Sequence, residues 1–237
     1  MSNTSFVRVS DLYKIYQMGN QEVRALDGVS LELQEGSFNV IMGPSGSGKS
    51  TLLYLVGGLD WPTSGQIEVD GQRIELMDEN QLAQYRREKL GFIFQSFNLV
   101  SSMSAEANVA FPLRFSGVKK AKRLKRAVSL LERMGLKERI GHKPTELSGG
   151  QQQRVAVSRA LVNNPSLILA DEPTGNLDTT SGTIIMDLLK ELREEGKTIL
   201  VATHDPRMLQ YATKAIFLID GKEVSEENYK KIIQQQG

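Results

Sequence analysis

Apolar and polar residues alternate along the first forty positions of the chain. FVRVSDLYKIY, GVSLELQEG and SFNVIMG each read as β-structure, with a tight turn at Glu35-Gly36 between the last two. A glycine-rich loop follows, then a short apolar helix, STLLYLVGGL. QIEVDGQRI at 66–74 reads as a hairpin on Asp70-Gly71, and GFIF at 91–94 as another strand. From about 104 to 163 the period becomes helical: KKAKRLKRAVSLLERMGL sets Leu124, Ala127, Val128, Leu131 and Met134 on one face. Strand and helix then alternate again through SLILA, a helix from about Thr179 to Glu195, TILVATH, a short helix and AIFLI.

Apolar strands alternating with helices imply a parallel sheet buried on both faces. The mostly helical stretch therefore reads as an insertion into an α/β core, with residues 1–95 and 164–237 as core and about 96–163 as inserted subdomain. At 237 residues the whole is expected to be a single domain carrying that subdomain. Composition changes this picture little. The chain is 40% hydrophobic and 24% charged with net charge +1, so no global bias points to nucleic acid or a membrane surface. It has no cysteine, which excludes disulfides, thiolate metal ligands and a thiol nucleophile. MSNTSFVRVS lacks the basic and apolar regions of a signal peptide. The longest apolar runs, Leu167 to Ala170 and Ala215 to Ile219, are strand-sized rather than membrane-spanning, so a soluble, cytoplasmic chain is expected.

Candidate chemistry begins with GPSGSGKS at 43–50, which fits G-x-x-x-x-G-K-[ST] between an expected strand and an expected helix. Its glycines let backbone N–H groups close around a triphosphate, Lys49 reaches the β- and γ-phosphates, and Ser50 ligates Mg²⁺. LILADEP at 167–173 is an apolar strand ending in two carboxylates. Asp171 is placed to hold Mg²⁺ through its water shell, and Glu172 to polarise the attacking water as general base. His204 ends TILVATH, at the sheet edge where a ligand binds; it is either structural or a γ-phosphate contact. Gln95, directly after GFIF, is within reach of the metal or the water. LSGGQQQR at 147–154 supplies a second anion-binding helix start, a serine cap followed by Gly149 and Gly150.

In order, the chain carries GPSGSGKST, FIFQSFNL, LSGGQQQR, LADEPTGNLD and VATHD. Over essentially its whole length it resembles the nucleotide-binding subunits of ATP-binding cassette (ABC) transporters. GLDWPTSG, HKPTELSGGQQQRVAVSRAL and DEPTGNLD resemble the lipoprotein-releasing, macrolide-export and cell-division (FtsE-like) branch. The resemblance implies an α/β P-loop NTPase core with a mainly parallel sheet, an N-terminal antiparallel β subdomain and an inserted α-helical subdomain bearing the signature. It implies an ATPase that uses ATP and Mg²⁺, bound by Gly43, Pro44, Ser45, Gly46, Ser47, Gly48, Lys49, Ser50 and Thr51. Tyr16 falls where the family stacks an aromatic on adenine, with Tyr13 as the alternative. Ser50, Gln95 and Asp171 would serve the metal; Glu172, His204 and Gln95 would serve catalysis. Asp178 matches the aspartate that signals across the dimer.

The resemblance also answers why one chain carries two anion-binding helix starts. Two copies would pack head to tail on binding ATP. Leu147, Ser148, Gly149, Gly150 and Gln151 of each would then cap the nucleotide held by the other. It further implies an integral membrane permease partner of FtsX/MacB type, bound at the cytoplasmic face of the membrane, and export or extraction of a lipid-like or amphipathic substrate. The alternative within this branch is an ATPase that only transmits force through its membrane partner. SFNLVSSMSAEANVAFPL departs from the branch, which more often has a proline where Ser101 to Met103 lie and Glu rather than Ala107. The resemblance implies that this segment faces the membrane partner, not the ATP chemistry. A Ras-type GTPase would need N-K-x-D, which is absent. The basic run KKAKRLKR reads either as a solvated helix face or as an attractor of anionic lipid headgroups; no motif accompanies it that would suit nucleic acid.

Overall fold

Two sheets divide the strands of the computed structural model, which describes residues 5–236. Residue 237 and residues 1–4, the start of the segment read for a targeting signal, lie outside it. The first sheet is antiparallel, in the order β2-β1-β4-β5: β1 (Val7–Met18), β2 (Gln21–Leu33), β4 (Ser64–Val69) and β5 (Gln72–Arg73). The second has the order β10-β9-β3-β8-β7-β6. In it β3 (Phe38–Met42), β6 (Leu90–Ile93), β7 (Leu167–Asp171), β8 (Thr198–Thr203) and β9 (Lys214–Ile219) run parallel, and β10 (Lys222–Val224) turns back against β9.

Every residue of β3, β7 and β8 is buried. Because side chains alternate across a strand, these three feed two cores. Ile41, Leu167, Leu169, Leu200 and Ala202 face the antiparallel sheet and α1 (Lys49–Val56). Val40, Met42, Ile168, Ala170, Ile199 and Val201 face the other way, toward α3 (Ala105–Ala110), α4 (Lys120–Arg133), α5 (Gly149–Leu161) and α6 (Thr179–Glu194). α4 turns Ala127 and Leu131 inward, leaving most of the basic run 119–126 on its solvent side.

Three elements went unread in the sequence. α2 (Glu79–Glu88) has only Leu82 and Tyr85 buried and is set by a capping box between Asp78 and Gln81. β10 and α7 (Glu226–Gln236) complete the C-terminal edge, where Tyr229 packs on Phe217 with ring centroids 4.9 Å apart. α3, α4 and α5 all fall between 96 and 163. Inside that stretch Asn108, almost wholly buried, accepts from Val100 N and donates to the carbonyls of Val100, Met103 and Ser104. One side chain thus closes the loop whose sequence departs from its branch.

Candidate functional site

The loop 43–48 joins buried β3 to α1. Its last residue, Gly48, is the N-cap of α1 at φ 99°, and no side chain caps the helix. A Cβ at Gly48 would lie 2.3 Å from the Ala25 carbonyl oxygen, so both conformation and space require glycine. The first N–H groups of α1, which have no intrahelical acceptor, are left facing the loop. Lys49 is buried there, donating to Gly43 O (2.8 Å) and Pro44 O (2.9 Å), and stands 3.9 Å from Glu172 Oε1. Burial lowers its pKa, while the charges of Glu172 and Asp171 act to raise it. Ser45 and Gly46 form the exposed rim, and Ser47 is buried with a hydroxyl that has no partner among the described residues.

Across the loop, the Ser50 hydroxyl donates to Asp171 Oδ1 (2.9 Å) and the Tyr54 hydroxyl to Oδ2 (3.3 Å). Burial pushes the Asp171 carboxyl above the usual range, although both hydrogen bonds oppose it. A hydroxyl and a carboxylate at one point make the hard-oxygen pair that Mg²⁺ takes in nucleotide sites, with phosphates and waters completing its octahedron. Consistent with so sparse a set, no group of three or more His, Cys, Asp or Glu gathers anywhere among the described residues.

Glu172 follows at φ 44°, a left-handed conformation uncommon for a residue with a side chain and typical of strain held at functional sites. Its two oxygens are both engaged. Oε2 accepts from the Thr203 hydroxyl (3.0 Å), and Oε1 lies 2.9 Å from His204 Nδ1. β7 and β8 are neighbours, so residues 32 apart in sequence meet at adjoining strand ends. Gln95 is exposed; its side-chain amide lies against Gly175 and its backbone carbonyl accepts from Asn176 Nδ2 (2.9 Å). It stands next to the segment that follows Glu172, and makes no hydrogen bond to Ser50 or Asp171.

Tyr16 is tied by its hydroxyl to Asp60 Oδ2 (2.9 Å), with Thr51 of α1 beside the same hydroxyl. Tyr13 instead packs its hydroxyl beneath Gly28. At the second helix start, Ser148 caps α5 through Gln151 N (3.3 Å), and Gln151 Oε1 accepts from Ser148 N (3.0 Å). Leu147 is buried in the core, so its side chain anchors the helix start rather than reaching outward. A Cβ at Gly150 would approach Ser181 Oγ to 2.7 Å, so this glycine admits the start of α6. Asp178 caps α6, accepting from Ser181 N (2.9 Å) and Ser181 Oγ (2.7 Å).

Five partners escaped the sequence reading: Tyr54, Thr203, Gln153, Asp60 and Lys14. Gln153 of α5, wholly buried, donates to Pro173 O (2.8 Å) and so ties the signature helix to the residue after Glu172. Its only sequence signal is a glutamine on an otherwise apolar helix face.

Known proteins match this arrangement along nearly the whole chain. The model of the ABC transporter family matches residues 26–175. An uncharacterised ABC transporter ATP-binding protein of Thermotoga maritima is 50% identical over 90% of this chain and 91% of its own. The macrolide export ATP-binding/permease protein MacB of Hyphomonas neptunium is 48% identical over 95% of this chain, which spans only 35% of that longer protein. Among solved structures, the dimeric ABC transporter cassette MJ0796 superposes with a TM-score of 0.87 at 46% identity, covering 92% of this chain and 97% of that one. A dimeric post-hydrolysis state of MJ0796 bound to ADP and Pi gives 0.86 at 45%, covering 92% and 98%. With the phosphate loop, the two strand-end carboxylates and the capped signature helix in one chain, this protein belongs to the ABC transporter family, as an ATP-binding and ATP-hydrolysing cassette.

Proposed function

We propose that two copies of this chain close on two ATP molecules, and that each site is built from the phosphate loop of one copy and the signature helix of the other. The carrying observation is the pairing of Ser50 with Asp171 at 2.9 Å, beside Lys49 and Glu172. Backbone N–H groups of loop 43–48 and α1 receive the phosphates, and Lys49 exchanges its loop carbonyls for phosphate oxygens. Ser50 and Asp171 would hold Mg²⁺, which would supply positive charge to the β- and γ-phosphates. Glu172 takes the proton of the attacking water. His204 and Thr203 fix its carboxylate, and the Nε2 of His204 stays free to face the γ-phosphate. Gly149 and Gly150 present the free N–H groups of α5, and Ser148 its hydroxyl, to the same phosphate from the second copy. The dimeric state of the MJ0796 cassette supports this reading.

Hydrolysis would be passed to a membrane permease. A cleft of ≈ 550 Å³ opens between α2, β6 and α5, lined by Leu59, Phe92, Phe94, Phe115, Arg86 and Arg159. Phe92 and Phe94 stack at 4.3 Å, and Arg159 donates to Phe97 O (2.8 Å) and Asn98 O (2.6 Å), pinning the segment after Gln95. An apolar cleft with an arginine-lined wall, joined to Glu172 through Gln95 and Gly175, suits a helix of the permease. The MacB relatives, in which ATP-binding and permease parts share one chain, support a partner of that type, and the proposed place of action is the cytoplasmic face of the membrane. The substrate proposed for the assembly is lipid-like or amphipathic.

Cysteine crosslinking tests the composite site in this cysteine-free chain. Ser45 is exposed, and a Cβ at Gly149 would meet nothing closer than 3.6 Å, so Ser45→Cys and Gly149→Cys suit the folded protein. Adding ATP should join two chains through these positions. Bridges confined to single chains would overturn the arrangement.

A further inference from the structure

Lys14 and Tyr16 stand two apart on β1 and therefore on one face of the strand. Asp60 and Trp61 lie across from them, in the loop between α1 and β4. The Lys14 ammonium donates to Asp60 Oδ1 (2.8 Å) and Trp61 O (2.7 Å) and sits 4.7 Å from the centroid of the Tyr16 ring. The Tyr16 hydroxyl donates to Asp60 Oδ2 (2.9 Å), and the Trp61 N–H to Oδ1 (2.7 Å). Two further bonds fasten the same loop to β1: Ile15 N to Thr63 Oγ1, and Thr63 N to Tyr13 O, both 2.9 Å.

We infer that Asp60 and Lys14 are positioning residues that hold the Tyr16 ring ready for a purine base; the inference rests on Tyr16 being the adenine platform. The hydroxyl tether fixes one end of the ring, and β1 fixes the other. The ring's distance from the phosphate loop is thereby set before nucleotide arrives, since Thr51 of α1 adjoins the same hydroxyl. An ammonium over one face leaves the opposite face for the base and adds a cation–π attraction that holds the ring in place. Burial alone would raise the Asp60 carboxyl. Hydrogen bonds from Lys14, Tyr16 and the Trp61 N–H instead hold it below its usual range, so it remains a charged acceptor. An untethered tyrosine would have to surrender its rotamer freedom on binding; the clamp removes that loss.

The clamp acts on the base and not on the phosphates, which separates it from general damage. Affinities for Mg·ATP and for Mg·tripolyphosphate would be measured on the full chain, by displacement of a fluorescent ATP analogue, for Tyr16→Phe, Asp60→Asn, Lys14→Met and Tyr16→Ala. Tyr16→Phe keeps the ring and loses only the tether, so it tests the clamp without emptying the site. The first three should each lose about three- to tenfold in ATP affinity, the worth of one preordered side chain, with tripolyphosphate unchanged. Combining Tyr16→Phe with Asp60→Asn should cost no more than the larger single loss, since both cut one bond. Trp61, the only tryptophan and itself part of the loop, reports the local state by fluorescence. It should change on adding ATP in the wild type, and less in Asp60→Asn. Wild-type ATP affinity in Asp60→Asn, Lys14→Met and Tyr16→Phe, with an ATP-specific loss in Tyr16→Ala, would overturn the clamp and leave the platform standing. No ATP-specific loss in Tyr16→Ala would remove the platform itself. Equal losses for both ligands in Asp60→Asn would reduce Asp60 to a structural residue and likewise overturn the inference.

Discussion

The two anion-facing helix starts of this chain are built in opposite ways. α1 begins at Gly48 in a left-handed conformation with no side-chain cap, whereas α5 begins at Ser148 with a reciprocal capping box closed by Gln151. The first start leaves its N–H groups to whatever enters the loop, and gathers a buried ammonium and a buried carboxylate around them. The second satisfies part of its own demand and leaves the N–H groups of Gly149 and Gly150 as its spare donors. One start is incomplete without a ligand; the other is a stable surface that a ligand can join later. That asymmetry is what a composite site needs. ATP must be gripped by one chain first, and the second helix must remain folded while it waits.

The largest effect should come from Glu172, the residue proposed to act where the two starts would meet. Glu172→Gln removes the base while keeping the shape and most hydrogen bonds to Thr203 and His204. Hydrolysis should fall about 10²–10⁴-fold, the usual worth of a positioned base. ATP binding should persist, and gel filtration with ATP should show a long-lived dimer. Nearly normal phosphate release from this variant would take Glu172 out of the base role.

Next in size is the contrast between Lys49→Ala and Ser148→Ala. Lys49→Ala deletes the charge-assisted contact at the uncapped start, and should weaken ATP binding by about 1.5–3 kcal/mol, read by titration with the same fluorescent analogue. Ser148→Ala should destabilise the fold by about 1 kcal/mol, read as a lower denaturation midpoint, because the cap supports α5. It should leave ATP binding to the single chain unchanged. A loss of monomer ATP affinity in Ser148→Ala would mean that both starts serve one site in one chain, and the comparison would fail.

How much of this was legible in the sequence depended on range. The phosphate loop, the Asp171-Glu172 pair and the signature helix were readable because their chemistry needs contiguous residues at fixed spacing. The boundaries of β3, β7 and β8 were readable because burial on both faces makes them largely apolar runs, broken inside only at Asn39 of β3. α2 was not, since Leu82 and Tyr85 alone carry no period; its signal was the Asp78/Gln81 capping box at its start. β2 extends back to Gln21 through four exposed residues, Gln21 to Arg24, held there by pairing with β1 rather than by an apolar alternation. The site contacts that escaped are those joining distant segments. Asp60 meets Tyr16 across 44 positions, and Glu172 meets His204 across 32. Such pairs are decided by sheet order, which no local spacing encodes.

The smallest effect concerns the strain that the uncapped start carries before its ligand arrives. Asp171 is 7% exposed, and burial holds its carboxyl above the ordinary range. A carboxyl whose folded pKa is raised binds its proton more tightly folded than unfolded. The stability it contributes is therefore fully present below the unfolded value, about 3.9, and is lost as pH rises through the folded value. At neutral pH the group is a net burden on the ligand-free protein. Asp171→Asn keeps an acceptor for the Ser50 hydroxyl and removes the buried charge, but also removes a charge that favours Lys49, so the net gain should be small. Without nucleotide the variant should melt about 2–4 °C higher at neutral pH, roughly 1 kcal/mol for a chain of this length, with the gap closing toward acid pH. Mg·ATP should reverse the order, since only the wild type gains the binding term that rises with the ratio of free ligand to Kd. A variant that melts lower than wild type without ligand would show that Asp171 is held by Ser50 and Tyr54 strongly enough to stabilise the fold. The uncapped start would then be as self-sufficient as the capped one.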